Sequence, residues 1–441
     1  MRRAAAAGGV LTVALGAASA LATTSGQTRS GWTVRALPAG ASFSEPGLVA
    51  GRAGTLVANA CTANSGSQAT WWRSGDGGAS WSRGFTAASS SIGCGDSDTA
   101  IGSDGWEYSL VLGAGVDVYR SRDGRRWSGP ASFPPPHGED QPDRPWLVTV
   151  PQHPNMVYLF NSEIGGNIVV WVSHDRARTF TGPVPATGGI NSEAALTLGS
   201  RPLADPLHPA RMFEYYETAT FSGVASSIRS SGPAQFPLTQ LWEARSDDGG
   251  ATWSDNLVLD VTTAFGVDGG TIGHLLPATA VDGNGTRYVV LSAQLGSSTA
   301  THLYLLHSLR HGWSRPVRLG EVTPSNVMPA IAVSAPGRVF VSWYASAAGD
   351  FTDSSARWQE MVASSGDALA SQPRFLITRL SDRPVHVGAV DNAGAVGNDL
   401  GENWALRDFQ TVTVDSRGRP HVVWADDAGA KPRTYTARTS S

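Results

Sequence analysis

Lysine is almost absent from this chain of 441 residues: Lys431 stands against thirty-two arginines. That bias belongs to the whole sequence, so a single arginine says little about anion binding. Cysteine is nearly as scarce, with only Cys61 and Cys94, too few for a fold stapled by many disulfides. After the N-terminal segment no run is long and apolar enough to span a bilayer, and no convincing amphipathic helical period occurs. Charge is sparse, at 16% of residues, with 33 basic against 37 acidic groups. That balance argues against a nucleic-acid surface.

The N-terminal segment has the layout of an export signal. Arg2-Arg3 form its charged end, Ala4 to Leu21 its small and apolar stretch, and Ala20-Leu21-Ala22 its cleavage site. Residues 1–22 are therefore expected to be removed, leaving 23–441 as one secreted domain with about six net negative charges. In an exported protein Cys61 and Cys94 are expected to form a disulfide, with two separate thiols as the bland alternative.

What the chain does have is a repeated frame, Ser-x-Asp-Gly followed by an aromatic residue. The clear copies run Ser74–Asp76–Trp81, Ser121–Asp123–Trp127 and Ser246–Asp248–Trp253. Degenerate ones are Ser173–Asp175–Phe180, which has Arg176-Ala177 where the glycines should be, and segments starting at Ser308 and Ser365. The frame suits a tight turn between antiparallel strands. The carboxylate and hydroxyl accept nearby backbone N–H groups, glycine supplies positive φ, and the aromatic ring buries itself between sheets. All these roles are structural.

A repeat at this interval decides the fold. The frame resembles the Asp-box, or bacterial neuraminidase repeat, and the chain resembles the sialidase-like β-propellers across nearly all of its mature length. Apolar runs such as Met156–Phe160, Tyr288–Leu291, Val339–Trp343 and His421–Trp424, separated by regular turn signals, agree with an all-β fold. The terminal repeat is split. Arg438–Ser441 begins a box, and Ser30-Gly31-Trp32-Thr33 looks like the end of one, as at His311-Gly312-Trp313-Ser314. The expected architecture is seven blades closed by the N-terminal strand, with a six-bladed sialidase-type ring plus a hairpin as the alternative.

The resemblance implies three arginines clamping a substrate carboxylate, a tyrosine–glutamate nucleophile and an aspartate acid/base. This chain departs from that set. The region where the family carries a Phe-Arg-Ile-Pro motif reads Ser44-Glu45-Pro46-Gly47-Leu48, without arginine, and the closest local likeness is Asp143-Arg144-Pro145-Trp146. Tyr216 and Glu217 are neighbours on a strand and point to opposite faces.

The inner mouth of the ring is the expected site. Asp143, Arg144, Glu193, Asp408 and Arg407 are the catalytic candidates, and Glu45, Asp98, His274, Asn326 and Tyr344 the substrate-binding ones. Converging carboxylates can act as general acid and base, because their repulsion separates their pKa values. They can equally hold calcium, or only bond backbone ends and water. No cofactor is required. Long segments at 217–237 and 388–403, the latter with Asp391, Asp399 and Glu402, are candidate cleft walls. The expected function is a secreted, monomeric, sialidase-like propeller acting on or binding extracellular glycans. A glycoside hydrolase and a non-catalytic binding scaffold both remain open, and sialidase activity itself is not expected, since an acidic funnel repels sialic acid.

Overall fold

The computed structural model describes residues 27–29, 31–38, 44–61, 68–88, 94, 96–113, 115–134, 142–163, 168–187, 199–218, 238–272, 276–390, 406 and 409–440. The export signal expected at 1–22 and most of the two long segments lie outside these residues.

Seven antiparallel sheets form a seven-bladed propeller. Blade 1 runs Ser44–Ala50, Leu56–Cys61, Gln68–Ser74 and Ser82–Ala88 from the inside outward. The innermost strands of the later blades are Ser97–Ile101, Pro142–Val150, Leu203–Ala204, Ala278–Val281, Ser325–Ala335 and Thr411–Val414. Each of these strands contacts the next, and Thr411–Val414 returns to Ser44–Ala50 to complete the ring. The second strands are covered on both faces by neighbouring blades, which is why they carry long apolar runs. Val157, Tyr158, Leu159 and Phe160 are all buried.

The Ser-x-Asp turns lock themselves. Ser74 Oγ accepts from Gly78 N at 2.9 Å, and Asp76 Oδ1 accepts from Ser80 N at 2.8 Å. The same bonds recur at Ser173/Asp175 and Ser246/Asp248, while Asp123 accepts from Arg125 N and Arg126 N. Gly249 and Gly250 take φ of 77° and 89°, and Arg176 and Ala177 take up 63° and 57° without glycine. Each closing aromatic packs on the preceding blade. Trp127 stacks on Phe85 at 4.9 Å, Phe180 meets Phe133 at 5.0 Å, and Trp253 meets Phe160 at 5.8 Å. Trp81 packs beside Leu37 and Val423 of blade 7. The aromatic residue is thus the adhesive of the ring.

Blade 7 is closed by the N-terminal strand. Trp32–Ala36 pairs with Arg433–Thr439 in the register Trp32↔Thr439 to Ala36↔Tyr435, and Ser440 N donates to Gly31 O at 2.7 Å. A further strand, Gln27–Arg29, lies outside it. One short helix, Val261–Phe265, is capped by Asp260, which accepts from Thr263 N, and ends at Gly266 with φ 65°. Its five residues are too few to show a helical period in the sequence. No helix among the described residues is long and apolar enough to cross a membrane. Cys61 and Cys94 form a disulfide between blade 1 and the entry to blade 2, with Cα atoms 5.6 Å apart.

Candidate functional site

Three inner strands share a local distortion. Glu45, Arg144 and Met328 have φ of 50°, 48° and 53°, and each precedes a proline. At each the ladder slips, between Ser44 and Gly47, Asp143 and Trp146, and Val327 and Ala330. Proline cannot donate to the ladder, so it sits at a bulge. A left-handed conformation costs a non-glycine residue about 1–2 kcal/mol, and proline restricts its predecessor further. Such strain persists where surrounding contacts over-determine the backbone, and it concentrates at functional sites.

At two of these bulges the distorted side chains meet. Arg144 Nη1 lies 2.7 Å from Asp96 Oδ1, 3.2 Å from Glu45 Oε1 and 3.6 Å from Asp143 Oδ1. The Arg144 backbone N–H donates to Asp96 Oδ2 and Asp143 Oδ1, each at 3.0 Å. All four residues are at most 5% exposed, so blades 1, 2 and 3 are joined by one buried quartet. Burial raises the Asp143 carboxyl to about 6, with Arg144 opposing and Asp96 adding to the rise. Burial alone would depress Arg144, but Asp96, Asp143 and Glu45 outweigh it and hold the guanidinium charged.

A second group lies alongside. Asp98 Oδ2 accepts from Leu147 N at 2.8 Å, and its other oxygen pairs with Arg201 at the entry to blade 4. The Arg201 guanidinium stacks over Trp146 at 4.8 Å, and Trp146 meets Phe409 at 5.0 Å. The Arg201 side chain is 32% exposed, against 1% for Asp98. Burial raises the Asp98 carboxyl, with Arg201 opposing.

Other buried acids stand on second and third strands. Glu214 accepts from Tyr215 N at 3.1 Å, and burial raises it well above the carboxylate range. Burial also lifts Glu217, to about 8. Glu360 rises for the same reason, and Gln410, with its amide nitrogen turned inward, donates to it at 2.7 Å. The close Tyr–Glu contact of this region is cross-strand: Tyr215 Oη donates to Glu243 Oε2 at 2.6 Å, and Arg287 Nε lies 2.8 Å from the same oxygen. Burial and Glu243 push the Tyr215 phenol up, the reverse of an activated nucleophile, and it packs among Phe213, Leu241 and Leu291. Tyr216 turns the other way and donates to Asp255 at 2.8 Å.

Of the expected site residues, Glu45, Asp143 and Arg144 come together, and Asp98 stands in the adjoining group. Asn326 is committed locally, accepting from Trp343 Nε1 at 2.9 Å and donating to Thr301 O at 3.0 Å. Tyr344 Oη accepts from Ala425 N at 3.0 Å in the interior. Glu193, His274, Arg407 and Asp408 lie outside the described residues. Asp96 and Arg201 were not anticipated. Asp96 is two residues before Asp98, just ahead of the strand Ser97–Ile101, and Arg201-Pro202 repeats the Arg-Pro pairing of Arg144-Pro145. Among the described residues no group of three or more His, Cys, Asp or Glu is placed to hold a metal ion; the three carboxylates of the quartet surround a guanidinium instead.

No protein-family profile and no curated protein matches the chain. Its fold does match solved structures. A protein of unknown function from Dyadobacter fermentans aligns at TM-score 0.52 and 12% identity, covering 93% of this chain and 99% of that one. An ulvan lyase of a polysaccharide lyase family, bound to -[GlcA(1-4)Rha3S]-, aligns at TM-score 0.57 and 10% identity, covering 91% and 94%. The NanB sialidase from Streptococcus pneumoniae aligns more loosely, at TM-score 0.44 and 11% identity over 68% of this chain and 65% of that one. At these identities the first two likenesses establish the propeller fold and nothing finer.

Proposed function

We propose that this chain is an exported propeller that binds and hydrolyses extracellular glycans at the inner mouth of its ring. The observation that carries this reading is the convergence, on strained inner-strand bulges, of Asp143, Arg144 and Asp96 beside Asp98, Arg201 and Trp146. A carboxyl raised to about 6 can hold a proton near neutral pH and release it. The Asp143 and Asp96 carboxyls are hydrogen-bonded to one another, and that pair is assigned the proton. Asp98, beside the solvent-reaching Arg201, is the complementary base. The Ser-x-Asp turns and their closing aromatics support membership of the Asp-box, sialidase-like propellers, and the disulfide is compatible with export. The ulvan lyase's ligand adds uronate-containing polysaccharide to the neutral glycans worth testing.

A second reading has its own support. The quartet carboxylates are buried and already bound to Arg144, as in a structural lock under a non-catalytic binding surface. Both readings are tested by incubating the exported protein with neutral and uronate-containing polysaccharides while following new reducing ends and unsaturated, ultraviolet-absorbing products. Hydrolysis is expected to release reducing ends without unsaturation, and Asp98→Asn or Asp143→Asn should lower the rate by ~100-fold or more. Binding without release, unchanged in both variants, would establish the scaffold reading. Neither binding nor release would refute the glycan assignment.

A further inference from the structure

We infer that the Cys61–Cys94 disulfide is the positioning device of the carboxylate–arginine quartet: it holds Glu45 and Asp96 against Arg144, so the quartet assembles only in the oxidised protein. Cys61 is the register partner of Ser44, whose hydroxyl donates to Cys61 O at 3.2 Å. Ser44 immediately precedes Glu45. On the other side, Cys94 lies two residues before Asp96, within ~7 Å even for extended chain, and its sulfur approaches Asp96 O at 3.8 Å. The bond therefore joins, across the seam of blades 1 and 2, the two positions that send carboxylates to Arg144 on blade 3.

At blade 1 the disulfide lies beside the distorted backbone. Glu45 is held at φ 50° before a proline, a conformation that persists only under external constraint. Asp96 precedes the first strand of blade 2, and its carbonyl accepts from Leu112 N at 2.8 Å. A shift between the two blades would move Glu45 and Asp96 apart while leaving each blade intact, and Arg144 would then be a buried guanidinium with fewer counter-charges. Both cysteines are at most 4% exposed and pack with Ala69, Trp71 and Val111, so the brace is set into the blade interface. The charged and titratable groups facing Asp143 are Arg144 on its own strand, Asp96 from blade 2 and, across Arg144, Glu45 from blade 1. Asp98 and Arg201 lie beyond Leu147 and Trp146.

Reduction is a balanced exchange with a dithiol. The reagent transfers two electrons and two protons, becomes a disulfide, and leaves Cys61 and Cys94 as thiols. The consequence for turnover rests on the glycan reading above. The positioning does not, and it is tested without any glycan.

The test is amide hydrogen exchange on the full exported chain, oxidised, dithiol-reduced, and as the Cys61→Ala/Cys94→Ala variant. The Arg144 amide reports the quartet because it donates to Asp96 and Asp143. The Met328 bulge, the same distortion on blade 6 with no disulfide beside it, is the internal control. Exchange around Arg144 should accelerate by ~10-fold or more on reduction, with the Met328 region unchanged. Equal acceleration at both bulges, or none at Arg144, would show that the disulfide is only a staple. If the cysteine variant does not fold, reduction of the already folded protein gives the same readout. A second measurement is the pH dependence of Tm. If the quartet disperses, Asp143 loses the part of its rise that Asp96 adds, and the slope it imposes between about pH 4 and 6 becomes shallower in the reduced protein; parallel curves displaced by a constant would overturn the inference.

Discussion

Closure of the ring by the N-terminal strand makes a quantitative demand on two side chains. Trp32 is 7% exposed and Leu37 5%, but they serve different seams. Trp32 packs with Phe340, Val422 and Trp424 across blades 6 and 7, and Leu37 packs with Leu48, Leu56 and Trp72 of blade 1. Trp32→Ala should cost about 3–5 kcal/mol, and Leu37→Ala about 2–5 kcal/mol. The two positions are five residues apart along extended chain, roughly 16 Å, so their effects should add. A combined loss of at least ~5 kcal/mol is comparable to the stability of an ordinary domain. Removing residues 23–37 altogether should expose the strand Arg433–Thr439 as a free edge and cause aggregation. Denaturant titration of the parent, single and double variants, with light scattering on the truncation, checks this. A double variant within ~1 kcal/mol of the parent, or a truncation that melts like the full chain, would refute closure by this strand.

Asp143→Asn should flatten the acid limb of the stability profile. The folded carboxyl is raised to about 6 from 3.8, so the native state binds the proton more tightly. The stabilisation from this group is then full below about pH 4 and is lost as pH rises through 6, by an amount on the order of 3 kcal/mol; the difference in Tm between parent and variant should follow this slope. Mass spectrometry of non-reduced peptides should show Cys61 linked to Cys94, whose 33-residue separation makes the cross-link worth about 4 kcal/mol in a chain-entropy account; both thiols alkylating without reduction would contradict it. Hydrolysis of a fluorogenic sialoside should stay near the blank, because Arg144 is already surrounded by Glu45, Asp96 and Asp143. Turnover at enzymatic rates, abolished by Arg144→Ala, would place a carboxylate clamp in the funnel after all.

The blade count is legible in the sequence because each Ser-x-Asp turn names its own hydrogen bonds and each closing aromatic names the seam it fills. The split repeat at Trp32 and Ser440 is legible for the same reason, as half of a motif with one physical purpose. The site is less so. Glu45, Asp143 and Arg144 could be placed at the mouth from their position on inner strands, but their meeting depends on the two X-Pro bulges at Glu45 and Arg144, and a bulge shifts which residue faces inward by one. Arg201 is concealed by the arginine-rich background, since nothing local separates a funnel arginine from a surface one. Glu214, Glu217 and Glu360 interrupt apolar strands in the pattern of solvent-facing residues, yet neighbouring blades cover both faces and bury them. The pairing of Tyr215 with Glu243 is cross-strand and invisible to a reading of adjacent residues in Glu214-Tyr215-Tyr216-Glu217.

The central claim, that glycans are engaged at the inner mouth of the ring, is tested most directly by an exchange footprint with a bound oligosaccharide from the active or binding polysaccharide. Protection should appear in the peptides covering Asp96–Asp98, Asp143–Leu147 and Gly199–Arg201, which three different blades bring to one place. Protection confined to the Ser-x-Asp turn face, or to outer strands such as Ser82–Ala88, would contradict it.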